Sequence, residues 1–154
     1  MKVGVISDTH GFLDPRVEKF FDGVDHVLHA GDVGYASIIV ELGIIAPVTA
    51  VLGNCDGDIG CRLTERVEVG RIKFLLHHIV NPRALIAPLA EKIAAEKPQV
   101  VVFGHTHKKF CETLGGILFF NPGYAGKPKF GAERSVAILH LDGGKIRPEF
   151  LALG

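Results

Sequence analysis

The chain has 154 residues, of which 47% are hydrophobic and 22% charged, with 17 Lys plus Arg balanced by 17 Asp plus Glu. That length suits one domain, residues 1–154, with a core that needs no disulfide, and the charge balance excludes a broad basic surface for nucleic acid. No apolar run approaches the length of a membrane span, and MKVGVISDTHG meets Asp8 and His10 too early for a signal peptide, so the expected location is the cytoplasm.

KVGVIS is short, apolar and β-branched, which predicts a buried strand ending at the polar run DTHG. Asp14 and Pro15 then open a helix whose Val17, Phe20, Phe21 and Val24 share one face. HVLHAGD repeats the strand-then-polar pattern, SIIVELG reads as a helix stopped by Gly43, and PVTAVLGNCD is a third strand. Strands alternating with helices predict parallel pairing, with ligand groups gathered at the carboxyl ends of the strands. ERVEV, Gly70 and RIKFLL predict a hairpin. The stretch from Pro82 to Lys97 has helical composition, and Pro98 blocks it before the strand QVVVFG. ILFFNPGYAG and SVAILHLDGGKIRPEFLAL predict further strands, the last pair turning around Asp142, Gly143 and Gly144. Cys55, Cys61 and Cys111 are odd in number and form no CxxC pair, so reduced thiols are expected.

Polar clusters end the apolar strands in order: Asp8-Thr9-His10, Gly31-Asp32, Gly53-Asn54-Cys55-Asp56, His77-His78 and Gly104-His105-Thr106-His107. Residues two apart on an extended chain project to one side, so Asp8 with His10, and His105 with His107, are placed to converge on one ion. Mixed carboxylate, amide and imidazole donors suit Mn, Fe, Ni or Zn better than Ca or Mg. Taken singly, each cluster reads as turn punctuation. Their conjunction and order point to a metal centre.

This ordered set resembles the calcineurin-like metallophosphoesterases, and its compact form is similar to their small YfcE-like phosphodiesterase branch, over nearly the whole chain. The resemblance implies an α/β fold of two packed mixed β-sheets flanked by helices, a four-layer α-β-β-α sandwich. It implies two divalent ions per chain, with Asp8, His10 and His107 on one, Asn54, His77 and His105 on the other, and Asp32 bridging. Asp32, Asn54 and His105 stand as the candidate catalytic residues. Mn²⁺ is the ion to try first in assay, with Ni, Fe and Zn as alternatives. The implied reaction is hydrolysis of a small phosphate ester, most naturally a phosphodiester, by a hydroxide between two ions that together ionise water at neutral pH. Asn121 of the sequence NPG is implied to lie beside the centre, and Asp56 is expected to orient a ligand imidazole.

The chain departs from the family pattern at Cys55, where larger relatives carry histidine, so protonation of the leaving group has no assigned residue. It departs again at His78, where glycine usually follows the ligand histidine, and at Tyr124, where serine usually follows NPG. His78 is balanced between a substrate contact and a buried histidine of a sheet edge. His29 is weighed as a supporting residue against strand packing that explains it at least as well, His26 and His140 have no motif around them, and none of the three receives a role. Lys108 and Lys109 beside GHTH read as solvated surface. Homo-oligomerisation stays open. The rival function is a catalytically silent scaffold of the same fold, as in the retromer subunit that has lost ligand residues. A nucleotide-binding module is disfavoured because neither GxGxxG nor GxxxxGK[ST] occurs.

Overall fold

The computed structural model describes all residues, 1–154. In chain order the elements are β1 (Lys2–Ile6), α1 (Arg16–Phe20), β2 (His26–His29), α2 (Ala36–Ile45), β3 (Val48–Ala50), β4 (Thr64–Val69), β5 (Ile72–His77), α3 (Leu89–Glu96), β6 (Val100–Val102), β7 (Phe110–Leu114), β8 (Ile117–Asn121), β9 (Ser135–Asp142) and β10 (Lys145–Ala152). They form two five-stranded sheets, ordered β10-β9-β1-β2-β3 and β4-β5-β6-β8-β7. Both are mixed. β1, β2 and β3 run parallel, as do β5, β6 and β8, while the outer pairs β9–β10, β4–β5 and β7–β8 are antiparallel.

Strand alternation builds the layers. Val3, Val5 and Leu28 of one sheet meet Phe74, Leu76, Val102 and Phe120 of the other in a core between the sheets. The opposite face of the first sheet carries Ile6, Val27 and Ile138 against Val17 of α1, Phe21 just beyond its end, and Ile38 and Leu42 of α2. The opposite face of the second carries Leu75, Val101 and Phe119 against Leu89 and Ile93 of α3. The expected four-layer α-β-β-α order is therefore the observed one. Phe74 and Phe120 are 1% and 0% exposed, and burying each contributes roughly 2–3 kcal/mol.

Three local expectations are corrected. α2 does not stop at Gly43 but runs to Ile45; one helical glycine costs only about 1 kcal/mol relative to alanine, and Pro47 lies just beyond the helix end. The stretch from Pro82 is not one helix, because α3 begins at Leu89 and residues 82–88 form turns; a helix from Pro82 would bring the Pro88 ring against a carbonyl one turn earlier. β7 was not anticipated. It folds back on β8 through Gly115 and Gly116, both with positive φ (58° and 81°).

The parallel arrangement decides where the chemistry sits. The polar clusters following β1, β2, β3, β5 and β6 all leave the carboxyl ends of parallel strands, and Asn121 ends β8 on the same side. One edge of the sandwich thus collects them.

Candidate metal centre

Asp8 is fully buried, and its two oxygens have different surroundings. Oδ2 accepts hydrogen bonds from the Ser7 hydroxyl (2.7 Å) and the His105 backbone N–H (3.1 Å). That fixes the carboxylate and turns Oδ1 inward, 3.4 Å from His107 Nε2 and 3.8 Å from both His10 Nε2 and His78 Nε2. Asp32 repeats the device. Its Oδ1 accepts the Cys55 N–H at 2.8 Å, while Oδ2 lies 3.2 Å from His78 Nε2 and 3.7 Å from His10 Nε2. At the open rim, Asn54 Oδ1 and His105 Nδ1 stand 3.1 Å apart, and the His105 ring meets the His78 ring edge-on at 5.4 Å.

The structure therefore brings together Asp8, His10, Asp32, Asn54, His105 and His107, and of the two histidines that end β5 it places His78 rather than His77 beside them. Along β5 the even positions Ile72, Phe74 and Leu76 face the core between the sheets, whereas Leu75 faces α3. Period two sends His77 to the helix side, where Nδ1 bonds the Thr64 hydroxyl at 2.8 Å and the nearby charge is that of Lys92. Burial holds its pKa below the ordinary histidine value. His78, 3% exposed, donates its Nδ1–H to the Ala30 carbonyl at 2.7 Å. That contact turns Nε2 toward the carboxylates, the orientation in which metal-binding histidines are usually held.

His78 Nε2 and Asp8 Oδ1 are the two buried side-chain nitrogen or oxygen atoms that have no hydrogen-bond partner. Both are electron-pair donors aimed at the same space. Buried polar atoms are nearly always satisfied, and leaving two orphans costs about 1–3 kcal/mol each. Positive charge in that space would remove both penalties, so these residues fit divalent metal. Asp8 with His10 and His107, and Asp8 with Asp32 and His78, each place one donor atom apiece within 4.8 Å of one another.

Backbone strain marks the same loops. Asp8, His10, Asp32, His105 and His107 all have positive φ (57°, 47°, 54°, 74° and 61°), and only Arg71 in a hairpin turn and Lys97 at a helix end share that state among non-glycine residues. Each such residue costs roughly 1–2 kcal/mol. Close approach also demands glycine at two points. A Cβ on Gly53 would lie 2.0 Å from Asp32 Oδ1, and one on Gly104 would lie 2.1 Å from Ser7 Oγ.

The supporting residues act through backbone more than through the imidazoles. Asp56 does not reach a ligand ring as expected; its carboxylate accepts the N–H groups of Val33 (3.1 Å), Gly34 (2.9 Å) and Gly53 (2.9 Å), stapling the Asp32 loop to the Asn54 loop. Asn121 is buried and donates to the Gly104 carbonyl (3.1 Å) and Thr106 Oγ1 (3.2 Å), holding the GHTH loop from below. His29, given no role by its sequence context, is buried and accepts the Gly31 N–H on Nδ1 (3.2 Å). Its remaining proton lies on Nε2, 3.0 Å from Thr9 Oγ1, and that hydroxyl donates to the Val33 carbonyl at 2.9 Å. The Asp8-to-His10 loop is thereby tied to the Asp32 loop. Desolvation pushes the His29 pKa down to about 3, so the ring stays neutral.

Cys55 faces the site, with its sulfur, a His10 nitrogen and an Asp32 oxygen within 4.8 Å. The charge of Asp32, then burial, raises its pKa, which favours the thiol over the thiolate. Tyr124 stacks on His107 with centroids 4.8 Å apart and lies 6.4 Å from the His10 ring, walling one side of the site. Beyond His107 opens a cleft of about 540 Å³.

The fold and the site together define a two-sheet α/β protein with a carboxylate–imidazole centre at the carboxyl ends of its strands. The profile of the calcineurin-like phosphoesterase superfamily domain matches residues 1–144, and the chain belongs to that family. It is 35% identical over 164 aligned positions to a probable metallophosphoesterase of Methanothermobacter thermautotrophicus, covering 100% of this chain and 94% of the relative. It is 31% identical over 172 aligned positions to the phosphodiesterase YfcE of Escherichia coli K12, covering 92% of this chain and 89% of YfcE. Among solved structures, Vps29 of Entamoeba histolytica complexed with Zn²⁺ superposes with a TM-score of 0.76 and 25% identity, covering 100% of both chains. The likeness places the chain among metal-binding hydrolases of the phosphoesterase type. No helix is long and apolar enough to cross a membrane.

Proposed function

We propose that the protein is a metal-dependent phosphodiesterase acting on a small organophosphate through two divalent ions. Asp8, His10 and His107 would hold one ion and Asn54, His78 and His105 the other, with Asp32 serving both; His78 takes the place that the family resemblance assigns to His77. The supporting observation is the pair of orphaned buried donors, Asp8 Oδ1 and His78 Nε2. Bound ions would supply Lewis acidity toward phosphoryl oxygens and ionise water near neutral pH.

The chain's own residues set the geometry in which that chemistry acts. Ser7 and the His105 N–H orient Asp8, the Cys55 N–H orients Asp32, and the Ala30 carbonyl selects the tautomer of His78. The buried carboxylates form the floor. The half-exposed His107 and the exposed His10, His105 and Asn54 form the rim, so a phosphate ester enters from solvent without a lid. The neutral Cys55 thiol is a weak donor at that rim and offers no strong acid for an alkoxide leaving group, which favours esters whose leaving group needs no proton.

The test is hydrolysis of bis(p-nitrophenyl) phosphate after chelation and after reloading with Mn²⁺, Ni²⁺, Zn²⁺ or Fe²⁺. Turnover should vanish on chelation and return with at least one ion; protein that stays inactive with all of them refutes the proposal. Metal uptake alone does not separate an enzyme from a scaffold, because the Vps29 structure that shares the fold is itself a zinc complex.

A further inference from the structure

The cleft beyond His107 is lined by Thr106, Lys108, Lys109, Lys129, Phe130 and Glu133, among others. Its cations are not equivalent. Lys109 is neutralised by an ion pair with Glu133, whereas Lys108 and Lys129 have no carboxylate partner. Lys129 Nζ sits 4.3 Å over the Tyr124 ring and 3.4 Å from His107 Nδ1. The Tyr124 ring holds the ammonium in place without cancelling its charge. Phe130 is wholly exposed beside it.

The position of Lys129 decides what it addresses. His107 turns Nε2 toward Asp8 Oδ1 at 3.4 Å and Nδ1 toward Lys129, so the imidazole ring stands between the ammonium and the carboxylates. The ammonium therefore reaches a group bound outside the centre rather than the phosphoryl group within it. A volume of about 540 Å³ matches a drug-sized ligand. Two free cations and one bare aromatic ring at its mouth suit an anionic, ring-bearing moiety.

Resting on the phosphodiesterase reading above, we propose that this cleft is a specificity subsite. It receives the part of the substrate distal to the scissile bond, and Lys129, assisted by Lys108, selects diesters that carry a second phosphate attached to a nucleoside-like ring. Phe130 offers the ring a stacking face.

The test compares two chromogenic substrates with the same leaving group, thymidine 5′-(p-nitrophenyl phosphate) with and without a 3′-phosphate. In the metal-loaded protein the 3′-phosphate should raise kcat/KM about tenfold, the worth of one charge-assisted hydrogen bond. Lys129→Gln should bring the ratio of the two values to about 1. Because each ratio is taken within one protein, general damage to the centre cancels. A wild-type ratio of 1 or below, or a ratio unchanged by Lys129→Gln, overturns the subsite while leaving hydrolysis intact. If neither thymidine ester nor bis(p-nitrophenyl) phosphate is turned over, the phosphodiesterase reading fails. The subsite is then judged by backbone amide shifts on titration with thymidine 3′,5′-bisphosphate. Shifts at residues 106–109 and 129–132 that Lys129→Gln abolishes support it, and their absence overturns it.

Discussion

Replacing His78 and His77 separately with alanine tests the reassignment of the ligand histidine. His78→Ala removes the Nε2 that lies 3.2 Å from Asp32 and 3.8 Å from Asp8, whereas His77→Ala removes a hydrogen bond to Thr64 on the far face of β5. Losing an outer partner of a metal ligand costs 10–100-fold in affinity, so losing the ligand itself should cost at least about 100-fold. At a metal concentration of 100 times the wild-type Kd, binding stabilises the fold by about 2.7 kcal/mol, and a 100-fold weaker site leaves only about 0.4 kcal/mol. For a domain of this size about 2–4 °C of Tm follows each kcal/mol. His78→Ala should therefore lose about 5–9 °C of the metal-induced rise in Tm.

The assay is thermal unfolding of each variant with chelator and with Mn²⁺ or Zn²⁺. Comparing each variant with its own metal-free form separates metal binding from the cost of the unpaired Ala30 carbonyl in His78→Ala. His77→Ala should fall by roughly 1 kcal/mol in both conditions and keep the full metal-induced rise. A full rise in His78→Ala, or a lost rise in His77→Ala, would overturn the assignment of His78 by strand parity.

Asp56→Ala frees three backbone N–H groups that join two site loops, and should cost roughly 3 kcal/mol in urea unfolding while weakening metal affinity; a loss under about 1 kcal/mol would show that the staple is idle. His29 gives a pH prediction. The native ring resists protonation down to about 3, whereas an unfolded histidine titrates near 6.5, so between these values the unfolded chain binds the extra proton. Stability therefore falls as pH is lowered from about 6.5, by up to about 1.4 kcal/mol per unit from this group. Urea midpoints between pH 7 and 5 should show a shallower slope in His29→Leu, and an unchanged slope would rule His29 out as the source.

Most of the centre was legible because its parts recur: an apolar strand, then a polar cluster. The histidine pair that ends β5 shows where motif reading gave out. The histidine expected to bind metal is usually followed by glycine, but His77 is followed by His78 and His78 by Ile79, so that signal favours neither. Ile72, Phe74 and Leu76 carried the answer, since their alternation already assigns even positions to the inner face. Lys129 was not legible. It lies 22 residues beyond His107, and only the packing of Tyr124 against His107 brings it to the site. Asp56 was found by its motif, but its partners are backbone amides that no side-chain pattern reports. The missed β7 is largely exposed, so it lacks the apolar run that marked the other strands.

Strain, glycine demand and orphaned donors all fall on the same few loops, and their coincidence has one physical cause. Asp8 and Asp32 are buried carboxylates turned toward a common space, an arrangement that repels until positive charge enters it. The positive φ values at Asp8 and Asp32 are part of what turns them there, and the two packed sheets hold the loops against relaxation. Cation binding and folding stability must then be linked, because the ion relieves in the folded chain a repulsion that the unfolded chain never has. The same stored penalty makes a preorganised centre, in which donors need not move to meet a metal and the geometry facing the substrate is fixed before it arrives.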